Sequence, residues 1–209
     1  MGKEDNILIK KIRDYLHRTG SDRIDAIKIA KDLNVSVTDI LAIAKTPQEL
    51  VSKVFNYELI ELSSIFDEYN FEEQNAIDTM IIIGQEVYKR FHDVNPAITY
   101  HLKQNFPDQY DKHLHNKIEF LKNMVISNLK RGQAQGVYRH DIDIENFKEK
   151  LANKVSKIHD PELLNTGKLT FDIIFNELIE DFIKDVSEQD GWDYFINRKH
   201  LVEALDFNR

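Results

Sequence analysis

The chain has 209 residues, of which only 7 are Gly, 4 are Pro and none is Cys. Breakers this sparse, against an average near about 12% for Gly and Pro together, exclude an all-β sandwich or barrel, which needs a turn signal roughly every 8–12 residues. The lack of Cys excludes disulfide scaffolds, Cys-ligated zinc and thiol nucleophiles. Hydrophobic residues at 42% and charged residues at 31% supply a core and exclude disorder, while the net charge of −8 is unevenly spread: residues 1–56 hold ten Lys and Arg against eight Asp and Glu, and the rest is acidic.

The N-terminus carries Glu4 and Asp5 ahead of Ile7-Leu8-Ile9 and then Lys10-Lys11, too short an apolar run for a signal peptide. The longest strongly apolar run, Met80 to Ile83, falls far short of the about 18 residues a membrane span needs. The chain is therefore expected to stay in the cytoplasm, with no membrane partner.

Ile7, Leu8, Ile12, Tyr15 and Leu16 recur at helical spacing and Gly20 follows, so a first helix is predicted over about 5–19. Asp25 is an N-cap candidate for a second, short helix with Ala26, Ile29, Ala30 and Leu33 on one face. Asn34 tolerates the left-handed conformation of a tight turn. Ser36-x-x-Asp39 then has capping-box spacing, with Asp in place of Glu or Gln, and opens a third helix over about 36–44. Thr46-Pro47-Gln48-Glu49 opens a fourth, which runs through Leu50, Val54, Phe55, Leu62 and Phe66.

Longer amphipathic segments follow: Asn75 to Asp93, Pro96 to Asn105, Pro107 to Arg131, a segment opened by Asp141 and Asp143, Lys168 to Val186, and Trp192 to Leu205. The prediction is an all-α fold of about ten helices, with Gly84 as the only Gly inside a periodic segment.

Three short helices joined by tight turns, less acidic than the larger helical body that follows, describe a helix-turn-helix domain on a regulatory domain. Ile29-Ala30-Lys31-Asp32-Leu33-Asn34-Val35-Ser36 resembles the "IA-x-x-x-G-V-S" core of the TetR family of bacterial transcriptional regulators, and Thr46-x-x-Glu49-Leu50 resembles the start of that family's fourth helix. Asn128-Leu129-Lys130-Arg131-Gly132-Gln133-Ala134-Gln135-Gly136-Val137-Tyr138-Arg139 with Asp141-Ile142-Asp143 resembles its recurring "I-x-x-G-x-x-x-G-x-F/Y-R-x-D-I-D" passage.

The resemblance implies a DNA-binding domain over residues 1–50 and a ligand-binding and dimerisation domain over 51–209. It implies a homodimer that places helix 36–44 in the major groove of a pseudo-palindromic operator and answers a small-molecule effector, as a repressor. DNA contacts then fall to Ser36, Val37, Thr38, Asp39, Ala42, Lys45, Thr46, Gln48 and Lys53.

This sequence departs from the family at Leu41-Ala42-Ile43-Ala44, where an aromatic run is usual, and at Pro47, where Lys is usual. Helix 36–44 also lacks the Arg, Lys, Asn and Gln that mainly read base edges. The alternative is a TetR-like helical protein with degenerate DNA recognition that serves as a small-molecule-binding or protein-interaction module.

In the body, Gly84, Tyr88, Phe91, Tyr100, His101, Phe106 and Tyr110 are the candidates for a ligand pocket, the alternative for the aromatic residues being plain core. The 168–186 segment is apolar around much of its circumference, so it must be buried on more than one side; in a dimer Phe171, Ile174, Phe175, Leu178 and Phe182 would face the twin subunit. No phosphate loop, dinucleotide fingerprint, nucleophile elbow or zinc-protease motif occurs, and His113 and His115, two apart on a helix, point to different faces. No catalytic residue, metal or cofactor is expected.

Overall fold

The computed structural model describes residues 3–20, 24–91, 94, 96–158 and 176–206. Among them are ten α-helices and no strand: α1 (Lys3–Thr19), α2 (Ala26–Leu33), α3 (Val37–Ile43), α4 (Pro47–Glu68), α5 (Ala76–Phe91), α6 (Pro96–Asn105), α7 (Pro107–Ala134), α8 (Ile144–Ile158), α9 (Asp181–Val186) and α10 (Gln189–Asp206). A π-helical turn, Asn176–Glu180, leads into α9. The described residues form two compact units. One holds the chain up to Ser64 together with Arg90–Lys117; the other holds Ile65–Lys89, Ile118–Ile158 and 176–206.

In the first unit, local chemistry sets the helix ends. Asp25 caps α2 by accepting from the Ile27 amide at 2.8 Å. Asn34 ends α2 in the left-handed region at φ 54°, and its amide closes the last turn on Ala30 and Lys31 carbonyls. Ser36 and Asp39 form a reciprocal capping box: Ser36 Oγ accepts from the Asp39 amide at 3.0 Å, and Asp39 Oδ2 accepts from the Ser36 amide at 3.3 Å. The apolar faces of these helices meet in one core of Ile9, Ile12 and Leu16 from α1, Ile29 from α2, Ile40 from α3, and Leu50 and Val54 from α4. A second cluster joins Val51 and Phe55 of α4 to Ile98 and Leu102 of α6 and Phe106 and Tyr110 by the start of α7.

In the second unit, Asn75 caps α5 by accepting from the Ile77 amide at 2.8 Å, and Asp143 caps α8 by accepting from the Glu145 amide at 3.0 Å. Helix α7 does not stop at Arg131 but runs on to Ala134, so Gly132 is a second glycine inside a helix; Gly191, in the first turn of α10, is a third. The expectation that Gly84 stands alone is thereby corrected.

The reason is close packing. A Cβ on Gly132 would lie 1.9 Å from Cδ2 of Tyr138, and one on Gly191 would lie 2.5 Å from the Val137 carbonyl oxygen. Gly136, at φ 71°, makes the left-handed turn that folds the chain back, and the amides of Val137 and Tyr138 donate to the Gly132 carbonyl. Tyr138, 1% exposed, donates through its hydroxyl to Asn128 Oδ1 at 3.0 Å, and Asn128 Nδ2 donates to the Ala76 carbonyl at 2.9 Å. Arg139 then joins the Val186 carbonyl through its amide at 2.8 Å. The Gly-rich passage that resembles the TetR family is thus the fastening of α7 to α5 and α9.

Candidate functional site

The outer side of α3 and the start of α4 is the first candidate surface. Ser36, Thr38, Asp39, Ala42, Lys45, Thr46, Gln48 and Lys53 are all exposed, while Val37 is half-buried against the three-helix core. Eight of the nine proposed DNA-contacting residues therefore lie open to solvent. Leu41 also stands 41% exposed on α3, an apolar group that its helical register alone marks as outward-facing.

Part of this chemistry is already engaged. The Asp39 carboxylate is held by the Ser36 amide, so it serves the helix cap. At the start of α4, the Glu49 amide donates to Thr46 Oγ1 at 3.1 Å and the Lys45 amide donates to Glu49 Oε2 at 2.7 Å. A phosphate approaching this helix end meets the Glu49 carboxylate beside it. The cation supplied there is the Lys45 side chain.

Also in the first unit is a cluster of buried polar groups that hydropathy patterning does not reveal. Glu58 accepts from His17 Nε2 at 3.0 Å, with Arg13 Nε at 3.6 Å and His113 Nε2 at 3.8 Å. Burial acts to raise the Glu58 pKa, but the His17 hydrogen bond and the charges of His17, His113 and Arg13 outweigh it and hold the carboxyl at about 2. Burial pushes His113 down to about 4, and Glu58 only partly opposes this. Lys117 is lowered by the same desolvation. His113 stacks on Phe55 with ring centroids 4.4 Å apart, whereas His115 is exposed, so the two histidines do point to different faces. The available signal was Arg13 and His17 at i,i+4 on the apolar stripe of α1.

The second unit contains a cavity of about 270 Å³. Its apolar wall is Phe66 and Tyr69, Phe71, Ile83 of α5 and Met124 of α7; Asn70, Glu72, Thr79, Ser127, Asn128 and Arg131 supply the polar groups. Arg131 Nη1 donates to the Phe71 carbonyl and Nη2 to Thr79 Oγ1 at 2.9 Å, while its buried Nε has no partner.

None of the seven residues predicted for a ligand pocket lines this cavity. Phe106 and Tyr110 are packed into the core of the first unit, where Phe91 lies under the Arg13 guanidinium at 5.7 Å. Tyr100 and His101 are half-buried neighbours with ring centroids 6.0 Å apart. Gly84 is buried in α5, and Tyr88 is 47% exposed. On the same helix Glu86 is buried, accepting from the Tyr69 hydroxyl at 2.9 Å and from Lys89 Nζ at 2.6 Å.

Of the residues assigned to a dimer face, Phe171, Ile174 and Phe175 lie outside the described residues. Leu178 is half-buried. Phe182 is 4% exposed and sits edge-on to Tyr138 at 5.9 Å and to Phe147 at 5.4 Å, so its ring belongs to the core of its own unit.

The fold as a whole has counterparts in solved structures. A TetR-family transcriptional regulator from Agrobacterium tumefaciens aligns at a TM-score of 0.62 with 12% identity, over 89% of this chain and 99% of its own. The chain has the TetR fold. A regulatory protein TetR from Rhodobacter sphaeroides aligns at 0.56 with 13% identity, over 86% of this chain and 96% of its own. A TetR-family protein described as a putative transcriptional regulator, from Vibrio parahaemolyticus, aligns at 0.54 with 15% identity, over 90% of this chain and all of its own. No protein-family model and no curated protein sequence matches the chain. Among the described residues no helix is long and apolar enough to cross a membrane.

Proposed function

We propose that this chain is a ligand-responsive, DNA-binding transcriptional regulator of the TetR type, a repressor that acts as a cytoplasmic homodimer. Residues 1–50 form its DNA-binding domain and 51–209 its regulatory domain. The observation that carries this reading is α3 itself: capped at both ends, anchored through buried Ile40, and presenting Ser36, Thr38, Asp39 and Ala42 outward at the end of a tight left-handed turn. A helix held this way can enter the major groove, and a dimer repeats it on the next half-site one helical turn away. Lys45 and Lys53 then supply phosphate contacts, and Ala42, Leu41 and the Thr38 methyl suit thymine methyl groups.

Selection on random duplex DNA at low salt, followed by gel shift, tests the reading. Parent protein is expected to enrich an A·T-leaning pseudo-palindrome. Lys45→Ala and Lys53→Ala are each expected to weaken binding across all sequences and to reduce the salt slope by about one. Light scattering on the free protein is expected to give twice the chain mass. No retarded complex at any salt overturns the regulator reading.

One observation favours a second reading. The exposed face of α3 carries no Arg, Lys, Asn or Gln, so a TetR-fold chain with degenerate DNA recognition, serving as a small-molecule-binding or protein-interaction module, is the alternative. It predicts ligand binding or a persistent protein partner in the absence of any DNA complex.

A further inference from the structure

We propose that the cavity of the second unit binds a small aromatic monocarboxylate, with its carboxylate paired to Arg131 and its ring against Phe66, Tyr69 and Phe71. Arg131 is the starting point. It is half-buried, no carboxylate is within ion-pair distance of it among the described residues, and only two of its five N–H donors are engaged. A guanidinium withdrawn from water without a counter-ion is unfavourable, and desolvation accordingly lowers its pKa. A ligand carboxylate offsets that cost with charge-assisted hydrogen bonds.

The rest of the cavity selects the class. The aromatic wall is built for rings: Tyr69 and Phe71 stack at 5.5 Å, and Phe66 meets Phe71 edge-on at 5.6 Å and Phe120 at 5.5 Å. Ile83 and Met124 continue the apolar surface. The volume of about 270 Å³ lies just under the roughly 300–1,000 Å³ of sites that take drug-sized molecules, which fits a single ring with a short acid arm. One cation is present, Glu72 lies at the exposed rim, and the nearby Lys89 is paired with Glu86. That balance suits a monoanion rather than a phosphate dianion. Ser127, exposed at i−4 from Arg131 on the same face of α7, adds a second donor.

This inference deepens the ligand-binding half of the proposed function, and its test is run without DNA. The full chain is titrated with phenylacetate and with its neutral isostere phenylacetamide, by calorimetry and by amide NMR shifts. Saturable phenylacetate binding is expected, with shifts centred on Phe71, Thr79, Ile83 and Ser127, and phenylacetamide weaker by about tenfold or more.

Arg131→Gln is expected to abolish the preference for the acid, and Glu72→Gln to tighten phenylacetate severalfold. Ser127→Trp, a change at an exposed position, is expected to close the mouth and abolish both. Equal affinity for acid and amide, shifts centred elsewhere, or undiminished binding in Ser127→Trp overturns the proposal. A DNA complex without phenylacetate binding removes the ligand class alone; phenylacetate binding without a DNA complex removes the regulator reading alone.

Discussion

Replacing Gly132 with Ala adds one methyl group, and in an ordinary helix interior that change stabilises by about 1 kcal/mol. Here the sign is expected to reverse. The new Cβ would lie 1.9, 2.3 and 2.6 Å from Cδ2, Cε2 and Cγ of Tyr138, where carbon atoms settle at about 3.5–4.0 Å. The ring would have to retreat by more than about 1 Å, yet it is 1% exposed, edge-on to Phe182 at 5.9 Å, and bonded through its hydroxyl to buried Asn128 at 3.0 Å. Overpacking costs about 1–3 kcal/mol, and losing a buried hydrogen bond adds about 1–3 kcal/mol.

After subtraction of the helix-propensity gain, a net loss of about 1–5 kcal/mol is expected for Gly132→Ala. Equilibrium urea unfolding of parent, Gly132→Ala, Tyr138→Ala and the double variant measures it as a cycle. With the Tyr138 ring removed, Gly132→Ala is expected to stabilise by up to about 1 kcal/mol. An increase in stability from Gly132→Ala in the parent, or the same change in both backgrounds, refutes the assigned contact.

Two further outcomes concern the buried charges of the first unit. Glu58→Gln removes the carboxylate that His17, Arg13 and His113 face, and is expected to cost about 3–5 kcal/mol in urea unfolding because the buried Arg13 guanidinium and the His17 ring lose the charge they face. Because His113 titrates at about 4 when folded against 6.5 normally, the unfolded chain takes up that proton first. The contribution is complete above pH 6.5 and lost as pH falls toward 4, worth roughly 3 kcal/mol. His113→Phe, which keeps a ring against Phe55, is expected to flatten the stability profile between pH 6.5 and 4.5, above the range in which Glu58 itself titrates; superimposable profiles for parent and variant would remove this assignment.

Much of the helix map was legible because the chain marks its own ends. Asp25, Asn34, the Ser36 and Asp39 pair, Thr46 with Glu49, Asn75 and Asp143 each hold a terminal amide or adopt the turn expected of them. These are local events, settled within four residues. The misplaced features are those that depend on distant partners. Gly132 reads as a stop unless Tyr138 is known to lie on it, and Glu86 reads as a surface carboxylate unless Tyr69 and Lys89 are known to donate to it. The cavity was illegible for the same reason: Arg131 joins the Phe71 carbonyl across sixty positions of sequence.

The two passages that resemble TetR regulators both fix the course of the backbone. Gly132 to Arg139 is fully accounted for by packing: a ring on a bare helix surface, a left-handed glycine, and an amide joined to the Val186 carbonyl. Such requirements specify a fold and carry no chemistry of recognition. The Ile29 to Ser36 passage likewise fixes a turn, through Asn34 and the capping box. What α3 can read depends instead on side chains that no packing constraint selects, and these are Thr38, Asp39, Leu41 and Ala42. On the proposed DNA-binding reading, an outer face that carries methyl groups and no amide or guanidinium leaves phosphate contacts and thymine methyls as the sources of affinity. The salt slope of binding therefore separates retained from lost recognition more sharply than any measure of the fold.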